Sequence, residues 1–229
     1  MIRKLFSNIK VLCLKYPVLY KITHKLSLAK GDICNDASEL CMEGFPSSAN
    51  SYSLNLARLV LSGEIIASHC HAAANMRMAL ARKIPVIFVS REPLGAISSH
   101  IVRHGKDKYN ACLTYISLYE YAVKHFEEII VTDFEDVTQK PMSFIQLTCE
   151  TLNLEFLAKK YQNADEQVKA HIIEYEEQVL KTEGFHGLLP DPKKEPEKQR
   201  TKAELAAYPL FQKCCELYDM LQSKSDIRA

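Results

Sequence analysis

Three short stretches carry side chains whose types and spacing could do chemistry. The first is Pro46-Ser-Ser-Ala-Asn-Ser-Tyr52, small hydroxyl and amide residues set between an apolar run and a helical pattern. Unpaired backbone N–H groups at such a helix start make an anion or phosphate site. Ser48, Asn50 and Ser51 would add donors without bulk, and Ala49 would let the backbone approach a ligand. The same letters also fit an ordinary strand–loop–helix joint capped by Asn50 or Ser51, the reading that pattern alone favours. No Gly-Lys-Ser/Thr follows, so this is not a Walker A loop. The second stretch is His69-Cys70-His71. A neutral imidazole suits proton removal near pH 7, while a His at a strand end is more often structural. The His-x-His pair also suggests metal, but spacing offers no third ligand. The third is Arg91, whose guanidinium is a planar fork for phosphate oxygens, or else a surface partner for Glu92.

Several elements must position these residues. Glu39–Phe45 reads as a strand, Ser53–Leu61 as a helix ended by Gly63, and Glu64–Ser68 as a second strand. Ala72–Arg82 reads as a helix, and the apolar run Ile84–Ser90 as a fully buried strand ending at Arg91. A helix follows from Leu94 towards Arg103, a long one over Asp107–Phe126, a strand over Glu128–Thr132, and a Pro141-initiated helix to about Leu152. Strands alternating with helices predict an α/β fold with a parallel sheet. Ligands bind beyond the carboxyl ends of such strands, which would bring the Pro46–Tyr52 loop, His69 and Arg91 to one rim. The C-terminal third reads as helical. Val168, Ile172, Tyr175 and Val179 form one apolar stripe, and Leu205–Leu221 another, broken near Pro209. Between them, Gly184–Arg200 with its prolines and cations reads as a solvated loop, or functionally as a lid over an anion.

Bulk properties bound the partners. The 229 residues suffice for one α/β domain, here residues 39–229, with residues 1–38 as an N-terminal helical extension. A net charge of +1 makes no electrostatic case for nucleic acid. Eight cysteines without metal-type spacing suit a reducing compartment, so a cytoplasmic location is expected. No run has the length of a membrane span, and no secretory signal is evident. Ile2, Leu5, Phe6, Ile9 and Leu12 fall at helical spacing among Arg3, Lys4 and Lys10. Residues 2–20 therefore suggest either a helix on a membrane surface or, the favoured reading, one packed on the domain it precedes.

Three segments together resemble the sulfotransferases that use 3′-phosphoadenosine 5′-phosphosulfate (PAPS). Glu43–Tyr52 looks like the family's 5′-phosphosulfate loop. Ile84–Ser99 is similar to its 3′-phosphate motif, a strand ending in Arg with a Ser eight positions later. Asp133-Phe-Glu-Asp136 resembles a Tyr-Glu-Asp that follows the later strand, and Pro190–Arg200 is a weaker likeness. The resemblance implies a P-loop-type fold, a sulfuryl transfer to an acceptor hydroxyl or amine, and no metal. It implies that Arg91 and Ser99 hold the 3′-phosphate, and that Ser47, Ser48, Ala49, Asn50 and Ser51 surround the 5′-phosphosulfate. Tyr52 would flank the adenine and His69 would be the general base, with His71 as second candidate. Ser47 departs from the pattern, because the family has Lys or Arg there; a lysine of the Lys193–Arg200 segment could compensate. A catalytically silent nucleotide binder on the same scaffold is the rival expectation, and a P-loop-type kinase a third.

Overall fold

The structure, a computed structural model, describes residues 2–61, 65–183 and 191–226. Helices α1 (Ile2–Lys15) and α2 (Pro17–Lys25) precede strand β1 (Ser38–Gly44), and α3 (Asn50–Val60) follows it. Then come β2 (Ile65–Ser68), α4 (Ala73–Ala81), β3 (Val86–Ser90), α5 (Pro93–His104) and α6 (Lys108–Lys124). Strand β4 (Ile130–Asp133), α7 (Phe134–Gln139) and α8 (Pro141–Thr151) follow. Helices α9 (Ala164–Glu183), α10 (Glu195–Ala206) and α11 (Pro209–Asp226) complete the chain. The expected helix stop at Gly63 lies outside the described residues.

The sheet has four strands in the order β2-β1-β3-β4, with every pairing parallel. Side chains alternate across it, as strand geometry requires. Cys41, Phe45, Val86 and Phe88 enter a core with α4, α6 and α11. Leu40, Met42, Ile87 and Val89 face α3, α8 and α9 on the other side. Both faces are covered, which is why the strands read as continuous apolar runs. From β1 the chain leaves one way to β2 and must cross back to reach β3, so a crevice opens where β1 and β3 end.

Three sequence expectations need correction. The Lys193–Arg200 segment is not a loop: a 3-10 turn over Pro192–Lys194 runs into α10, whose first turn holds Pro196 with Glu195 and Glu197. Proline lacks the N–H that a first helical turn leaves unpaired, and acidic residues favour that end. In α9, Val168 and Ile172 are buried but Tyr175 is half exposed; Val179 falls among the side chains not described. The apolar row of α1 does not face the domain. Its Ser7 and Val11 are buried instead, and α1 rests on α6 through them. Among the described residues no helix is long and apolar enough to cross a membrane.

Candidate functional site

The crevice is a cavity of about 680 Å3 at the carboxyl ends of β1 and β3. Ser47, Ala49, Asn50, Ser51, Tyr52, His69, His71, Arg91 and Ser99 all line it. Residues 47 to 99 thus converge from two loops, one strand end and one helix. Ser48 does not line it; its side chain is fully buried beneath the loop and its N–H is used by Phe45 O at 3.1 Å.

The loop after β1 is shaped by its backbone. Ser47 and Ala49 both have left-handed φ, 70° and 57°. Ala49 is the residue before α3, and no side chain caps the helix there. The ordinary capped joint is therefore not what forms. Asn50 instead turns its amide back to Phe45 O at 2.8 Å. The first bond into the helix is Ser53 N–H to Ala49 O, 2.9 Å, which leaves the N–H groups of Asn50, Ser51 and Tyr52 open at the cavity end. The hydroxyls of Ser47 and Ser48 have no hydrogen-bond partner among the described residues. Such orphaned groups mark places where a ligand supplies acceptors. Tyr52 donates its phenol to Asp165 at 2.5 Å, fixing its ring between α3 and α9.

Arg91 is held by its backbone. Its N–H donates to the Tyr119 phenol at 2.7 Å, and the Tyr115 and Tyr119 hydroxyls donate to its carbonyl at 2.7 and 2.9 Å. The two rings stack with centroids 3.9 Å apart. The guanidinium lies 3.8 Å over the Phe134 ring and bonds the Ser47 carbonyl. Burial lowers its pKa, opposed by Glu92 and Glu135, so a cation is kept in a partly desolvated place. Ser99 sits two turns into α5, whose start is capped by Glu92 accepting Gly95 N–H at 2.6 Å. Glu92 therefore caps the helix while its charge still favours the Arg91 cation.

The two imidazoles sit on a strained turn, with φ of 57° at His69 and 49° at His71. Glu43, buried within β1, clamps it: its carboxylate accepts Cys70 N–H at 3.3 Å, His71 N–H at 2.8 Å and the Asn75 amide at 2.8 Å. Burial pushes Glu43 up to about 8 while those bonds pull against it. His69 Nε2 lies 3.0 Å from Ser51 Oγ, and its Nδ1 lies 3.1 Å from Ser68 Oγ. His71 donates Nδ1–H to Gly44 O at 2.8 Å, which leaves Nε2 the lone pair. Burial lowers both rings, His71 to about 4, so both are neutral near pH 7. The rings stand edge-on with centroids 5.9 Å apart. Among the described residues no group of three or more His, Cys, Asp or Glu could hold a metal ion.

The outer wall comes from α5, α9 and α10. Lys194 and Lys198 line the cavity, but Lys193 and Arg200 of the same basic segment do not. Lys194, the residue before α10, and Lys198 within it are four positions apart and so fall on one side, which Lys193 and Arg200 do not share. Burial lowers Lys198, and so do the nearby Arg91, Lys202 and Arg103. Such crowding of cations makes a site for more than one negative charge. Sequence reasoning missed Arg103, although it stands one turn beyond Ser99 on α5. It also missed Glu43, whose signal is a carboxylate inside an apolar strand, and the Tyr115–Tyr119 pair at i,i+4.

No family model matches the chain, and no curated protein matches it at a significant level. The residues alone must carry the functional reading.

Proposed function

We propose that this protein is a PAPS-dependent sulfotransferase on a P-loop-type scaffold, acting on a hydroxyl or amine of an acceptor. The observation that supports this most is the joining of an uncapped helix start and the orphaned Ser47 hydroxyl to Arg91 and Ser99 in one cavity. That set suits a ligand with two separated anionic groups. The open N–H groups of α3 would hold the 5′-phosphosulfate, and Arg91 with Ser99 the 3′-phosphate. Tyr52 offers a ring wall for the base.

When bound, PAPS supplies the sulfuryl group: the acceptor oxygen or nitrogen forms its bond to sulfur as the bond from sulfur to the 5′-phosphate oxygen breaks. His69 would take the acceptor's proton on Nε2, because that atom already lies beside Ser51 of the loop. Ser51 would then have to turn its hydroxyl away, a local rotation only. Ser47 brings a hydroxyl but no charge to the position where negative charge develops on the leaving oxygen. Arg91, bonded to the Ser47 carbonyl, and Lys194 and Lys198, which line the same cavity, are the candidates to compensate.

The test is calorimetry with adenosine 3′,5′-bisphosphate, AMP and ATP, followed by transfer from labelled PAPS to a broad acceptor panel. Tight binding of the bisphosphate, weak binding of AMP and transfer to at least one acceptor are expected. Equal affinity for bisphosphate and AMP overturns the reading, and preferential binding of ATP turns it towards a kinase. The uncharged Ser47 favours a second reading, a silent binder, which predicts tight bisphosphate binding with no transfer. Ser47→Lys separates the two: turnover rises if the native site lacks a cation, and is unchanged or falls if Arg91 or the outer-wall lysines already fill it.

A further inference from the structure

Most of the large apolar side chains exposed among the described residues lie on or beside α1 and α2, far in sequence from the cavity loops. On α1, Leu5, Phe6, Ile9 and Leu12 are exposed, Phe6 to 67%. Their spacing follows one face of a helix. The opposite face is satisfied, because Ser7 accepts the Asn110 amide at 3.3 Å, Asn8 accepts the Tyr109 phenol at 3.0 Å, and Val11 is buried. After the break at Pro17, α2 repeats the arrangement. Val18, Ile22 and Leu26 are exposed, Val18 to 70%, while Tyr20 is fully buried and donates to Lys30 O at 2.8 Å. Both helices rest on α4, so their outer faces look away from the same support. The two helices are thus anchored by one side and leave an apolar side open. A contiguous apolar surface of this kind marks an interaction site.

Charge decides between occupants. Positions 1–31 contain seven Lys and Arg residues and no Asp or Glu. The whole chain is net +1, so the remainder is net −6. Lys10, Lys21, Lys25 and Lys30 are exposed on or beside the two helices, whereas Lys15 is taken by Glu120 at 2.9 Å. A protein partner would be met by paired charges of both signs, while an apolar row on helices that carry only cations of their own matches an anionic bilayer. There the apolar side chains enter the headgroup–acyl boundary and the lysines meet phosphates.

We propose that α1 and α2 form a docking surface for an anionic membrane, on which the protein lies without spanning it. The surface is tied to the cavity. Asp32, after α2, exchanges backbone hydrogen bonds with Ser68 at 2.7 and 3.0 Å, next to His69. That bridge joins the docking helices to the turn that carries His69.

The test uses the full chain and phosphatidylcholine vesicles with and without phosphatidylserine. The protein contains no Trp, so Phe6→Trp gives a single fluorescent reporter. Its emission should shift to the blue with phosphatidylserine vesicles and stay unshifted with phosphatidylcholine alone, and the shift should fade as salt is raised. Co-sedimentation should weaken by ~10-fold or more in Phe6→Ser/Ile9→Ser and in Lys21→Glu/Lys25→Glu. These side chains are exposed, so thermal melts should match the wild type. Absence of vesicle binding at low salt overturns the proposal. So does binding that ignores lipid charge and the lysine reversals. Concentration-dependent dimers in sedimentation velocity, abolished by Phe6→Ser/Ile9→Ser, would show instead that a second copy covers this face.

Discussion

Along the strand ends, the groups facing the cavity are held by buried partners: Arg91 by two tyrosines, the His69–His71 turn by Glu43, His71 by Gly44 O. On the opposite wall, Lys198 rides on the largely exposed first half of α10 and Lys194 on the 3-10 turn before it, and Lys169 is an exposed side chain paired with Asp165 at 2.7 Å. The inner wall fixes geometry, which matters for groups that must meet reacting atoms within tenths of an ångström. The outer wall supplies charge, which acts at longer range and is screened by salt. Substitutions on the two walls should therefore differ in size and in salt dependence.

The largest effect is expected at His69. His69→Ala should lower turnover by about 10²–10⁴-fold with bisphosphate affinity nearly unchanged. Because His69 is lowered from its ordinary value of 6.5, kcat/KM should rise with pH through a limb below that value and then stay level as far as this group is concerned. If His71→Ala produces the loss and His69→Ala does not, the base is the other imidazole.

Next comes Glu43. Glu43→Ala leaves the Cys70 and His71 N–H groups and the Asn75 amide without their acceptor in a dry interior, costing about 3 kcal/mol of stability. Its pKa, raised from 4.5 to about 8, also sets a sign. Between those values the folded protein keeps a proton that the unfolded chain releases, so stability falls as pH rises through the window. Denaturant melts at its two ends should show that slope, and Glu43→Gln should flatten it.

Arg91→Ala should weaken bisphosphate binding by about 1.5–3 kcal/mol and leave AMP almost untouched. Calorimetry at two salt concentrations should find that loss nearly constant. Lys198→Ala is the smallest of the series, about 0.5–1 kcal/mol, and should shrink further as salt is added. A salt-independent loss at Lys198 larger than that at Arg91 would break the distinction between the walls.

Much of this site was legible because its signals are local. The apolar run ending at Arg91, the small-residue loop and the His-x-His turn each show their character within ten residues or so of sequence, and the rule for parallel sheets gathers them. What escaped depends on distant partners. The Tyr115–Tyr119 pair looks like any buried helical face until β3 is laid across it. In α1 the periodicity identified an apolar face, yet nothing in a period says whether a protein covers that face. The prolines of the Gly184–Arg200 stretch suggest a loop, whereas Pro196 sits in the first turn of a helix, where proline is tolerated. Ala49 in a left-handed conformation has no sequence signal at all, since glycine is the residue that position ordinarily takes.

The strand order β2-β1-β3-β4 also sets a timetable for self-assembly. As the chain leaves the ribosome, β1 can pair with β2 early, but its other edge waits for β3 and its two crossover connections. Parallel pairing between such separated segments is slow, because loop closure must precede the contacts that reward it. During that interval the edge of β1, with buried Cys41 and Phe45, is open to other chains. Arrival of β3 closes that edge and brings Arg91 beside the loop after β1, so protection of the sheet and the first joining of the ligand site are one step, with the outer wall added later by α5, α9 and α10.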